Sequence, residues 1–191
     1  MKLYYNGPSP YARKVMVAIH EKGLTDRIEP VLVDPWEDPP VLTDIAPIGK
    51  VPALLTDGGA VISESTTIGE YLDRLDSGVP LIGGDWGDVM SRAALGQGII
   101  DAAFTSVIEG RRPADKRWSD WIARQRRAIE RALPKARTAG RRFDLGDIAL
   151  ACGLAYMDFR LPEVAWREKH AGLAAWLDVA NRRPSMQATK P

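Results

Sequence analysis

The chain has 191 residues, 45% hydrophobic and 27% charged, with a formal net charge of +1; this is a globular composition and excludes a disordered polymer. No apolar run approaches the ~18 residues of a membrane helix, and the start MKLYYNG lacks the apolar stretch and cleavage site of a signal peptide. One cysteine, Cys152, excludes an internal disulfide and a cysteine metal site, and two histidines, His20 and His170, exclude a three-histidine centre.

These bounds predict a cytoplasmic protein with no metal and no membrane partner. Residues 2–5, KLYY, predict a short strand, broken by Pro8 and Pro10. Tyr11, Val15, Ala18 and Ile19 then recur at helical spacing, and Gly23 suits the end of that helix. IEPVLVD, 28–34, predicts a second strand, with Pro30 marking an irregular or edge position. Residues 35–49 carry four prolines and no sustained period, so they read as an irregular connector with one helical turn near 41–45. VPALLTDGGAVIS, 51–63, sets two apolar runs around a DGG turn, the mark of a hairpin. ESTTIGEYLDRL, 64–75, predicts a helix burying Ile68, Tyr71 or Leu72, and Leu75. The order βαβ–ββα closes a small four-stranded sheet with helices on it.

DSGVPLIGGD, 76–85, has linker composition. Beyond it no strand pattern recurs. Residues 87–110 and 115–137 predict two long helices, the second with Trp118, Ile122, Ile129 and Leu133 on one stripe and Pro134 kinking or shortening it. FDLGDIALACGLAYMDF, 143–159, predicts a third helix, with Asp144 spaced as an N-cap three before Asp147. Its dense apolar run predicts burial on most sides, with Cys152 a small hydrophobe among the rest. HAGLAAWLDVANRRP, 170–184, predicts a last helix. The organisation expected is an α/β domain over 1–77, a linker over 78–84 and an all-helical domain over 85–191.

Charge is uneven along the chain. Residues 1–80 hold seven basic and twelve acidic side chains, and between positions 111 and 142 twelve basic residues face Asp115, Asp120 and Glu130. The run reads as a solvated helix face or as a field drawing in small anions. Nucleic acid is not an expected partner, the run being read as lacking the interleaved aromatic platform of a base-stacking surface.

Four motifs now stand in order: SPYARKV at the first helix, APIGKVPAL (46–54), SEST (63–66) and DLGDIALA (144–151). Together they give a chain that resembles the glutathione transferase superfamily from end to end. The resemblance implies an α/β N-terminal thioredoxin-like domain followed by an all-α helical-bundle domain, a homodimer, and glutathione as co-substrate without a metal. Val51 and Pro52 resemble the family's cis-proline pair, whose first residue meets the cysteinyl backbone of glutathione as an added strand would. Glu64 and Ser65 would take the γ-glutamyl end at a helix N-terminus; read without the family, Ser65 is an N-cap and Glu64 a first-turn acid. Lys50 would meet the glycyl carboxylate or stand exposed without a role. Asp101 resembles an acid that reaches a partner subunit's γ-glutamyl ammonium, or is a surface acid. Ala46 stands where relatives often carry Asn, a departure that removes a loop hydrogen bond.

A free cysteinyl thiol has a pKa near ~8.5, and the thiolate is the nucleophile. A helix N-terminus and one hydroxyl donor would stabilise the anion. Pro10 suits the first helical position, which puts Ser9 at the N-cap, and Ser9 matches the serine-type position of the family. Tyr5 and Tyr11 are the alternative hydroxyls. Serine forms no mixed disulfide, so disulfide reductase chemistry is disfavoured. The resemblance therefore implies a glutathione transferase, with a detoxification role, that ionises the thiol at Ser9 and conjugates it to small hydrophobic electrophiles. Tyr11, Phe104 and Arg111 would line the second substrate's pocket. The competing reading is a non-catalytic relative kept for binding or regulation.

Overall fold

The computed structural model describes residues 1–75, 78–140 and 142–191; Asp76 and Ser77, the first two residues of the stretch of linker composition, and Arg141 of the basic run lie outside the described residues. Two compact units divide the chain. One holds Met1–Gly84 together with Arg183–Pro191, the other Asp85–Arg182.

In the first unit, KLYY forms β1 (Lys2–Tyr5). Helix α1 (Pro10–Glu21) follows and carries the chain across to β2 (Glu29–Leu32), parallel to β1 with Lys2 opposite Glu29 and Tyr5 opposite Leu32. A parallel pair needs such a crossover, because no tight turn joins its ends. The connector holds a 3-10 turn (Pro35–Glu37) and the short helix α2 (Pro40–Thr43). Next comes the hairpin of β3 (Ala53–Leu55) and β4 (Val61–Ser63), then α3 (Ser65–Arg74). The sheet order is β2-β1-β3-β4, with β3 antiparallel to both neighbours. Pro30 therefore lies on an edge strand, where a missing N–H costs least.

Side chains alternate across the sheet. Tyr4 and Ala53 join Val33, Leu42 and Ala46 in one apolar cluster. Leu3 and Leu54 point to the other face and are fully buried; α3 packs on β3 and against α1 there. On α3, Ile68 and Leu72 are fully buried and Tyr71 is half-buried, as is Leu75, the residue that ends the helix.

The C-terminal residues belong to this unit. Residues 183–191 were expected in the helical domain, but α9 (Pro184–Ala188) packs on α1. Arg183 pairs with Glu21 at 2.6 Å, Ser185 donates its hydroxyl to the same carboxylate, and buried Arg13 donates to the Met186 carbonyl at 3.1 Å. These ties join positions too far apart in sequence for local pattern to reveal them.

The second unit is helical among its described residues: α4 (Trp86–Gly110), α5 (Ser119–Ala132), α6 (Leu145–Arg160), α7 (Trp166–Lys169) and α8 (Ala171–Ala180). Helix α4 packs along α5 and α6. At Gly96 a Cβ would lie 2.6 Å from the Leu150 nitrogen, so only glycine lets α4 and α6 approach this closely. Asp144 caps α6, accepting from the Asp147 N–H at 3.1 Å. Arg92 binds Asp144 at 2.5 Å, Asp147 at 3.3 Å and Asp88 at 2.9 Å. Helix α6 is buried on most sides, Cys152 fully so.

Two expectations are corrected here. Trp118 was placed within the second long helix, 115–137, on one stripe with Ile122, Ile129 and Leu133; it is the N-cap residue of α5, is 62% exposed and stacks on Trp121 with centroids 5.5 Å apart. Ile129 and Leu133 alone of that stripe are fully buried. The same tryptophans also correct the reading that no aromatic residue interleaves the basic run. Pro134 shortens the helix as expected, ending it in a 3-10 turn over Leu133–Lys135. Among the described residues no helix is long and apolar enough to cross a membrane.

Candidate functional site

Ser9 stands in extended conformation before Pro10 and is the N-cap of α1. Its Oγ accepts the Ala12 N–H at 3.2 Å, and its own N–H donates to the Asn6 carbonyl at 3.1 Å. Asn6 in turn donates its side-chain amide to the Val33 carbonyl at 3.0 Å, tying the β1–α1 loop to the end of β2. A hydroxyl carries one proton and two acceptor lone pairs. Capping uses a lone pair, so the Ser9 proton is left to donate to an anion placed before the helix. The two roles read from the sequence are compatible in one side chain. Beside this loop lies an open groove of about 510 Å³, lined by Asn6, Gly7, Pro8, Leu32, Val33 and Asp34.

Glu64 and Ser65 open α3, but not as the residue types suggested. The N-cap is Glu64, with φ of 74°, and Ser65 is the first helical residue, 1% exposed. The Glu64 carboxylate curls over its own helix end. It accepts the Thr66 N–H at 2.9 and 3.0 Å, the Thr67 N–H at 3.0 Å, and the hydroxyls of Ser65 and Thr67. Burial alone would raise its pKa. The Thr66 and Thr67 N–H groups, the Lys14 charge and the Ser65 hydroxyl overcome that and hold the carboxyl below its ordinary 4.5. The expectation of Ser65 as a plain cap with Glu64 inside the first turn is thus corrected by one residue. A carboxylate on a two-carbon stem reaches the N2 and N3 amides that a serine hydroxyl would have capped.

The Val51–Pro52 bond is cis, and the β3 ladder begins at Ala53, leaving Val51 outside it. Lys50 is exposed in the preceding loop. Tyr5 ends β1 and Tyr11 lies in the first turn of α1, both half-buried. In the second unit, Asp101 is exposed on α4 and accepts from Gln97 one turn earlier at 3.0 Å. Phe104 is half-buried on the same helix and Arg111 is exposed at its end.

These positions can be set beside known proteins. The pattern of the glutathione S-transferase N-terminal domain matches residues 8–75, and that of the C-terminal domain matches 119–178. The uncharacterized GST-like protein YibF of Escherichia coli K12 is 30% identical over the whole of this chain and 98% of its own. The chain belongs to the glutathione S-transferase family. Among solved structures, a glutathione transferase family member from Pseudomonas fluorescens Pf-5 with bound glutathione is 39% identical, covers 100% of this chain and 98% of its own, and superposes with a TM-score of 0.93. A glutathione S-transferase from Methylobacillus flagellatus KT, also with glutathione bound, is 34% identical over 100% of this chain and 98% of its own, with a TM-score of 0.91. The α/β-then-helical plan of the family is the plan observed.

Within this family member, two side chains escaped the sequence reading. Asn6 sits in an unremarkable turn, and no local signal marks it. Lys14 is 1% exposed, with its ammonium 2.9 Å from the Thr66 hydroxyl. A lysine falling between Tyr11, Val15 and Ala18 on the apolar stripe of a helix was the available signal.

Proposed function

We propose that this family member is a glutathione transferase in which the bound glutathione thiol gives its proton to water, the Ser9 hydroxyl donates a hydrogen bond to the thiolate so formed, and that thiolate attacks a small hydrophobic electrophile. The observation that carries the reading is the geometry of Ser9: capping with a lone pair, before Pro10, at the N-terminus of a helix twelve residues long. The helix end supplies unpaired N–H groups and a partial positive charge, and the hydroxyl supplies one charge-assisted hydrogen bond. Both favour the thiolate over the thiol. The attack forms a carbon–sulfur bond, and the electrophile's leaving group or a protonated carbanion accounts for the electron pair.

In this reading Glu64 and Ser65 take the γ-glutamyl end, Val51 with its cis Pro52 neighbour takes the cysteinyl backbone, and Lys50 takes the glycyl carboxylate. Glutathione held by the structural neighbours supports that assignment. Tyr11, Phe104 and Arg111 are proposed to meet the electrophile, and Asp101 to act from the partner of a homodimer. Calorimetric titration with glutathione, then conjugation of an aryl halide followed by absorbance, tests the proposal. Binding and turnover are expected. Failure of both would leave the non-catalytic reading in its place.

A further inference from the structure

Lys14 is buried to 1% exposure, and a lysine is rarely so placed unless its charge has a task. It lies on α1, five residues after Ser9. Helical side chains lean towards the N-terminus, so its stem runs back along α1 and its ammonium meets the Thr66 hydroxyl of α3 at 2.9 Å. Thr66 is the second residue of α3, and its N–H donates to both oxygens of the Glu64 carboxylate. A cation of one helix therefore sits behind the anion at the leading end of another, with one threonine touching both.

Resting on the proposed glutathione site, we infer that Lys14 is a positioning residue: through Thr66 it fixes the Glu64 end of α3 against α1, the helix whose own leading end carries Ser9. In that reading the γ-glutamyl end and the cysteinyl sulfur of the tripeptide meet the leading ends of these two helices, so one buried ammonium sets the frame for both. The charge also acts on Glu64 directly. Lys14 is the charged group facing that carboxylate from α1; from its own helix come the Thr66 and Thr67 N–H groups and the Ser65 hydroxyl; the neighbouring strands β3 and β4, Ala53–Leu55 and Val61–Ser63, bring no titratable side chain. The γ-glutamyl ammonium needs an ionised Glu64, so glutathione affinity should weaken where Glu64 takes up a proton, and Lys14 keeps that point low.

The test uses the whole protein and S-methylglutathione, whose blocked thiol removes sulfur ionisation from the measurement. Affinity is followed by calorimetry between about pH 4 and pH 8. Wild type should bind with an acid limb below the ordinary carboxylate pKa. Lys14→Met should bind about tenfold more weakly at neutral pH and show its acid limb at higher pH. Lys14→Arg, which keeps the charge, should return the limb towards its wild-type position. Thr66→Val leaves the lysine in place and cuts the relay; it should weaken binding by itself and add little in the Lys14→Met background. A uniform loss at every pH, with the limb unmoved in Lys14→Met, would overturn the inference by reducing Lys14 to packing. Should Lys14→Met not fold, an unaltered affinity in Thr66→Val overturns the relay by itself. No binding by wild type would instead refute the glutathione site and take this inference with it.

Discussion

Replacing Ser9 by Ala removes two things at once, and they can be separated. The first is the cap on α1. The Oγ–Ala12 nitrogen distance is 3.2 Å, the long end of the hydrogen-bond range, so the loss should sit near the middle of the usual capping cost, about 1 kcal/mol. For a unit of this size that lowers the melting temperature by about 4–8 °C. The second is the proposed donor to the glutathione thiolate. A hydrogen bond to a charged group contributes ~1.5–3 kcal/mol, which is one to two units of thiol pKa at ~1.4 kcal/mol per unit. The assay is conjugation of an aryl halide as a function of pH. At a pH below the wild-type thiol pKa, kcat/KM of Ser9→Ala should fall between about tenfold and a hundredfold, and the rising limb should move up by one to two units. Ser9→Gly separates the effects, since glycine costs a helix cap only a few tenths of a kcal/mol: it should melt near wild type yet show the displaced limb. Ser9→Thr keeps both hydroxyl and cap and should keep the profile. A limb that stays in place in Ser9→Ala and Ser9→Gly would refute the role of the hydroxyl.

Three further outcomes are expected. Gly96→Ala sets a Cβ 2.6 Å from the Leu150 nitrogen and 2.7 Å from the Ala149 carbonyl carbon; overpacking of ~1–3 kcal/mol exceeds the ~1 kcal/mol that alanine gains in a helix, so the urea midpoint should fall, and a more stable variant would contradict the close α4–α6 packing. Arg92→Met leaves Asp144 and Asp147, each at most 2% exposed, without their cation; about 3–5 kcal/mol should be lost, and retention of wild-type stability by calorimetry would show that the acids find other partners. At Glu21, burial by itself raises the pKa, but the hydrogen bonds of Arg183 and Ser185 and the charges of Arg183 and His20 hold it below 4.5. A depressed folded pKa gives stability that is full above the unfolded value and is lost as pH falls through the folded one. Glu21→Gln should therefore flatten the fall in melting temperature from about pH 5 to about pH 3, and an unchanged slope would remove Glu21 from the acid response.

Much of the candidate site was legible because its signals are local. A proline at the first helical position announces both the start of α1 and the cap before it, so Ser9 could be placed from two adjacent letters. The DGG turn between apolar runs fixed the β3–β4 hairpin in the same way. At α3 the rule for caps favoured serine, and the structure chose Glu64, because its longer side chain reaches amides two and three residues on. Trp118 matched the helical stripe by period, yet it lies ahead of the helix and in solvent, since a period is satisfied by residues outside the element as well as inside it.

Sequence by itself determined the order of the strands and long helices and the two-part plan, since periodicity, capping and turn formation act over a few neighbouring residues. Tertiary structure decided which distant groups share a burial site. Lys14 and Thr66 are separated by 52 positions, Arg13 and Met186 by 173. A charge can be buried only where a partner arrives to meet it, and the arrival of that partner depends on how the whole sheet and its helices close.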